Sequence, residues 1–411
     1  MTASHSHGDP TDPGFRTPRR LGAIIAWALA PFLVLIAIGA VRYWPDGSPA
    51  QPLEVPDLVR GTVVALSACE EPADPTADPD QPDLSGQACA IATLREDEGP
   101  DTGDEVEASV TLGPNTPDLA AGTSVLLAPL DDPEQAYALA DVDRTAPLLG
   151  LSALFATAVV LLARWKGVLA LVGLAASILI LAVFVLPSLL AGNPPVAVAA
   201  VGAGAIAVVS MGLAHGFSAR TGVALIGTLV ALVITTLLGD LATRALNFTG
   251  VASEDAAYLS GVSGGTLDLR GLLLAGLVIG ALGVLDDVTV TQSATVWEVF
   301  GAHRAISLRA LWRSGMRVGK DHVAAVVNTL VLAYVGAALP LFLLITMSTA
   351  PAVQSLSNEV IAAEVVRSMV GGLGIVASVP ITTGLAAMLL VSSRERAGSG
   401  PQSTDPGHSP A

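Results

Sequence analysis

Two adjacent carboxylates, Asp286 and Asp287, stand in a stretch from Gly271 to Trp297 that is otherwise uncharged. An acid at bilayer depth costs at least about 2.5 kcal/mol on insertion scales, so such groups usually face a bundle interior, a partner or an ion path. Neighbouring carboxylates in a low dielectric resist joint ionisation and share a proton, the behaviour that a proton-coupled or cation-coupled site needs. On a helix, Gly276, Gly280, Gly283 and Asp287 fall on one face. Small residues let membrane helices approach closely, so this face is expected to be a helix-packing seam that carries Asp287 to a neighbour. Thr291, Thr295 and Glu298 extend it, Asp286, Thr289 and Ser293 form a second polar stripe, and Gln292 lies apart from both. A static hydrogen-bonding role and a place at an interfacial helix end remain open for the pair. Three further candidates for ion coupling follow in the chain, Thr291, Asp321 and Asn328. Asp321 is placed to join Asp287 or to pair with Arg317 at i,i+4, and Asn328 both donates and accepts. Glu364 and Arg367, at i,i+3, read as a packing pair.

These groups need elements to carry them, and the composition says which. Of 411 residues, 52% are hydrophobic and 14% charged, and the mean hydropathy is +0.64. Eight apolar runs approach the roughly 20 residues that a spanning helix needs. They are Leu21 to Val41, Ala146 to Ala163, Gly167 to Leu190, Val196 to Ala214, Val223 to Leu241, Gly271 to Ser293, Val323 to Met347 and Arg367 to Val391. The expected fold is therefore an α-helical polytopic membrane protein of about eight transmembrane helices, with a small β-rich extracytoplasmic domain after the first helix. The domains read as a disordered tail over 1–18, an anchor helix over 19–41, the outer domain over 42–145, a seven-helix membrane domain over 146–393 and a second disordered tail over 394–411. The first run reads as an uncleaved anchor, because Ile38, Gly39 and Ala40 make a poor cleavage site.

Basic residues near helix ends stay on the cytoplasmic side. With both termini inside, 13 of the 20 Lys and Arg fall there, whereas 28 of the 36 acids fall outside. The formal charge of −16 is thus an external charge. The basic segment after the sixth run, with Trp297, Phe300, Leu311 and Trp312 among Arg304, Arg309, Arg313 and Arg317, is amphipathic and expected to lie on the inner leaflet.

In the outer domain, Glu105 to Leu112 alternates with the period of a half-buried strand. Gly61 to Leu66, Cys89 to Leu94, Thr123 to Ala128 and Tyr137 to Val142 are further strands, and five such strands suggest a small barrel or sandwich. It lacks the basic and aromatic surface that nucleic acid requires. Cys69 and Cys89, the two cysteines of the chain, flank an acidic, proline-rich segment, and a disulfide between them suits an oxidising compartment. The acids between them lack the spacing of a calcium loop, so the segment reads as a solvated loop and no metal is expected. No phosphate-binding Gly-x-x-x-x-Gly-Lys loop, nucleophile elbow or His-Glu-x-x-His helix occurs, which argues against ATP-driven transport and against an enzyme, and no cofactor is expected.

Three blocks carry a resemblance. Gly283-Val-Leu-Asp-Asp-Val-Thr-Val-Thr-Gln-Ser293 through Glu298, Ser314-Gly315-Met316 through Leu339-Pro340, and Asn358-Glu359 through Pro380 are similar to the YibE/F family of bacterial integral membrane proteins. Many members carry a single acid in the first block, with an apolar residue where Asp286 stands, so the resemblance favours Asp287. It implies location in the bacterial plasma membrane and a permease-like role for an unknown small solute or ion. The competing expectation is an envelope structural or assembly protein, acting through its outer domain on a protein partner or on a second copy of itself.

Overall fold

The structure is a computed structural model that describes residues 19–45, 57–68, 88–98, 102–112, 116–130, 137–347, 351, 354–355 and 357–398. Cys69 and the tails 1–18 and 399–411 lie outside the described residues, whereas Cys89 sits on a strand. The chain divides into two compact units, Met1–Gln51 with Ala163–Ala411, and Pro52–Leu162.

The smaller unit holds β1 (Val59–Ala68), β2 (Ala88–Glu96), β3 (Glu105–Leu112), β4 (Ser124–Pro129) and β5 (Tyr137–Val142), all at or near the expected runs. They form one antiparallel sheet in the order β3-β2-β1-β4-β5, which curls until β3 and β5 come into contact. Period-2 alternation decides the inner face: Ala90, Ala92 and Leu94 of β2 pack with Ala108 and Val110 of β3 and with Val125 and Leu127 of β4. Glu96 continues the inner row of β2 at 1% exposure, and neither carboxylate oxygen has a partner among the described residues. Outside the sheet, Arg60 bridges Glu98 and Asp143, each at 3.3 Å. Asp143 Oδ1 accepts the Thr145 backbone N–H at 2.9 Å and so caps α2 (Thr145–Ala163), none of whose residues is buried.

The larger unit begins with α1 (Arg19–Arg42). After α2 come α3 (Trp165–Ile180), a π turn over Leu181–Val185, α4 (Leu186–Leu190), α5 (Pro195–His215) and α6 (Ala219–Ala245). Then follow α7 (Glu254–Val262), α8 (Leu269–Ala302), α9 (Leu308–Ala337), α10 (Leu339–Met347) and α11 (Glu359–Gly398). Eight of the described helices are long and apolar enough to cross a membrane, as the sequence led us to expect. Side-chain oxygens set several starts: Ser218 accepts from Thr221 N, Ser253 from Ala256 N, Asp268 from Gly271 N and Ser307 from Ala310 N.

Three boundaries depart from expectation. The expected seventh span, Val323 to Met347, is instead α9, which starts at Leu308, and the separate α10. Pro340 cannot donate to the Gly336 carbonyl and its ring would clash there, so the helix ends at Ala337 and restarts with proline in the first turn of α10. The basic segment expected to lie on the leaflet as a loop is mostly the first half of α9, because Leu311 is buried against Val296, Phe300 and Leu390. α11 also runs to Gly398, past the expected end of the membrane domain at residue 393.

Two cores hold this unit. The main one joins α5, α6, α8, α9 and α11 through residues such as Met211, Leu229, Leu285, Leu330 and Ile375. The second gathers Leu21 and Ile25 of α1 with Phe300, Leu311, Leu390 and Val391, at the end where α8 finishes.

Candidate functional site

α8 is ringed on most of its circumference, and hydrogen bonds identify its neighbours. On α5, Ser210 Oγ donates to Asp286 Oδ2 at 3.0 Å. Towards α6, the Thr228 and Thr289 hydroxyls meet at 2.6 Å, and Ser293 Oγ donates to the Arg220 carbonyl at 2.9 Å. Gln292, 2% exposed, donates from Nε2 to the Gly315 carbonyl of α9 at 2.9 Å and to Thr383 Oγ1 of α11 at 2.6 Å. Round the helix axis the neighbours therefore follow as α5, α6, α11 and α9, and the remaining face opens between α5 and α9.

On that open face stand Gly276, Gly280, Gly283, Asp287 and Thr291, all exposed. The expected packing seam is thus not where the glycines of α8 lie. A Cβ at Gly276 or Gly283 would meet nothing within 4 Å, and one at Gly280 would meet only the Tyr334 hydroxyl, at 3.2 Å. The larger apolar face of α8, with Leu274, Val278, Leu285 and Val288, takes the buried position, because it removes more apolar surface from contact with the surroundings than a glycine face can. Close approach occurs elsewhere. A Cβ at Gly315 would lie 2.8 Å from Thr383 Cγ2, and one at Gly319 would lie 2.5 Å from Val379 Cγ1 and 2.8 Å from Gln292 Oε1. Gly227 likewise abuts Thr382, and Gly374 abuts Thr235.

The two aspartates have different surroundings. Asp286 is half-buried; Oδ2 is held by Ser210, while Oδ1 is buried with no partner among the described residues. Asp287 points into the open strip. Both lie level with Ser210, five residues before the end of α5, and Gly173 of α3 packs behind that serine, its would-be Cβ 3.6 Å from Ser210 Cα. His215, the last residue of α5, is within electrostatic reach of Asp287, Arg220 and Lys166.

Of the other sequence candidates, Thr291 stands one turn beyond Asp287 on the same open face, whereas Asp321 and Asn328 make no contact with the pair among the described residues. Asp321 and Asn328 are exposed on α9, and Asp321 makes no ion pair among the described residues, so its expected bond to Arg317 is absent. The Thr291 carbonyl accepts the Thr295 hydroxyl at 2.9 Å. Glu364 and Arg367 do pair, at 2.8 Å, and Arg367 Nε is buried with no hydrogen-bond partner among the described residues. Among the described residues, no group of three or more His, Cys, Asp and Glu is arranged to hold a metal.

Sequence reasoning missed Ser210, Thr228, Thr382 and Thr383. Ser210 had a signal, as the one hydroxyl in α5. The α6 threonines had a better one: Thr221, Thr228 and Thr235 recur every seven residues, and all three are buried. Chemically, the arrangement offers one carboxylate open to a solute and a second beside it, tethered by a hydroxyl that fixes its orientation.

No curated protein and no solved structure matches the chain. The family model described as YibE/F-like protein matches residues 151–392, which is more than half of the chain and includes α8. With its apolar helices and this match, the chain belongs to the YibE/F-like family.

Proposed function

We propose that this protein is a secondary transporter or permease whose path runs along the open strip of α8, with a proton or small cation bound at Asp287 and Asp286. One observation carries the reading: a carboxylate stands exposed in the middle of a helix long and apolar enough to span a membrane, on the face where Gly276 and Gly283 meet nothing within 4 Å. A charge facing hydrocarbon there would be costly, and a water-lined strip relieves that cost. Asp287 exchanges with the passing ion, and Asp286, steadied by Ser210, supplies a second oxygen pair next to it. In the same reading both termini are cytoplasmic, the curled sheet lies outside the bacterial plasma membrane, and the protein performs no catalysis of its own.

The division into two compact units favours a second reading, an envelope assembly protein that works through its sheet domain. Reconstitution in liposomes loaded with a pH-sensitive dye separates the two. Under imposed proton and cation gradients the wild type is expected to move charge, and Asp287→Asn to abolish that movement while the protein still folds and inserts. Silence of the wild type across all gradients, or flux untouched by both Asp287→Asn and Asp286→Asn, would remove the transport reading.

A further inference from the structure

Tyr334 of α9 reaches the strip. Between Gly276 and Gly283, both of which would meet nothing within 4 Å, the Tyr334 hydroxyl of α9 lies against Gly280. That hydroxyl makes no hydrogen bond among the described residues. Tyr334 also lines a cavity of about 500 Å³ between α9 and α11, together with Val327, Phe342, Glu364, Ser368 and Gly372. The ring therefore stands between two spaces. In one its hydroxyl stands over a bare glycine, with no protein acceptor among the described residues; in the other Glu364 and Ser368 offer acceptors, and the room exceeds what a phenol ring needs.

We propose that Tyr334 is a gate on the strip, closed when its hydroxyl lies over Gly280 and open when the ring swings into the cavity beside Glu364 and Ser368. This rests on the reading of the strip as a path and adds its regulation. Gly280 is the seat of the gate, since a Cβ there would lie 3.2 Å from the hydroxyl and crowd it off the α8 backbone. Hydroxyl-to-carboxylate bonding would stabilise the open position, which makes the two states close in free energy. The Glu364–Arg367 pair fixes where that acceptor stands. A hydrated ion entering from the end where α8 starts meets the gate before it reaches the aspartates, whereas the other approach is ungated.

Cysteine labelling tests the gate without requiring flux. In the full-length protein carrying Cys69→Ser and Cys89→Ser, reconstituted in oriented liposomes, Gly276→Cys and Gly283→Cys bracket the gate and are probed with a membrane-impermeant maleimide from each side. Gly276→Cys is expected to label from the side where α8 starts, and Gly283→Cys from the opposite side. Adding Tyr334→Ala, which removes the ring from the strip, should speed labelling of Gly283→Cys from the α8-start side by about tenfold or more. Gly372→Leu, which fills the cavity, should slow the same labelling. If Tyr334→Ala and Gly372→Leu leave the Gly283→Cys rates unchanged while both cysteines still label, the gate is wrong and the path stands. If neither cysteine labels from either side, the strip is not a wet path and both ideas fall.

Discussion

Replacing glycines by alanine on α8 and on α9 should give opposite results, because one set faces open space and the other a packed crossing. A Gly→Ala change in a helix gains at most about 1 kcal/mol from propensity, and less where the reference state is already helical. At Gly276 and Gly283 the added methyl meets nothing within 4 Å, so these variants should be neutral or stabilised by up to about 1 kcal/mol. At Gly319 the methyl would sit 2.5 Å from Val379 Cγ1 and 2.8 Å from Gln292 Oε1, well inside contact distance. Val379 is buried and the Gln292 amide is tied to Gly315 and Thr383, so neither neighbour gives way freely. Overpacking of this kind costs about 1–3 kcal/mol. Set against the propensity gain, Gly319→Ala should lose roughly 0–3 kcal/mol. Shrinking the obstruction should recover part of the loss, so Gly319→Ala with Val379→Ala should couple favourably in a double-mutant cycle. Reversible unfolding in mixed detergent micelles, followed by tryptophan fluorescence, measures all of these variants. A Gly283→Ala loss as large as that of Gly319→Ala would mean that the α8 glycines are a packed seam, and the open strip, with the transport reading built on it, would be refuted.

Two further outcomes are expected. Glu359 at the start of α11 accepts the Thr249 and Gly250 backbone N–H groups at 2.8 and 2.7 Å and the Thr249 hydroxyl at 2.9 Å, so Glu359→Gln should weaken this clasp by about 1–3 kcal/mol. Hydrogen exchange at those two amides should then speed up by about ten- to hundredfold, and unchanged protection would show that the clasp holds nothing. The second outcome concerns acid. The hydrogen bond from Arg144 holds Asp141, and that from Thr145 holds Asp143, below the ordinary value of 3.8. A carboxylate depressed on folding stabilises the fold above its ordinary value and loses that contribution as pH falls through the lower folded value. Thermal melting of the sheet unit should therefore drop as pH falls below about 4, and Asp141→Asn with Asp143→Asn should flatten that acid limb. An acid limb of unchanged steepness in the double variant would count against the assignment.

The sequence was most legible where periodicity acts alone. Alternation placed Ala108 and Val110 inside the sheet, and apolar length located eight helices, because both signals come from a single segment and its solvent. It was least legible where two segments must agree. The face of α8 that packs was read from its glycines, yet the partners α6 and α11 are met by its leucine and valine side, and the tight glycines belong to those neighbours and to α9. Asp286 was ranked below Asp287 on the family resemblance, and the partner that holds it, Ser210, lies 76 residues away on α5, where no local pattern points to it. Pro340 ended α9 early by a local rule that the hydropathy of Val323 to Met347 concealed.

The unequal lengths of the helices have a thermal consequence. With 34 and 40 residues, α8 and α11 are about 51 and 60 Å long at 1.5 Å per residue, against a hydrocarbon layer of about 30 Å. In the proposed orientation their far ends, with Phe300, Leu311 and Leu390 between them, stand in water. That portion coheres by expelling water and so loosens on cooling, whereas the part within lipid coheres by contact and hydrogen bonding and lacks that dependence. Along a single helix, then, cold should soften the wet end first and leave the acid-bearing middle in register.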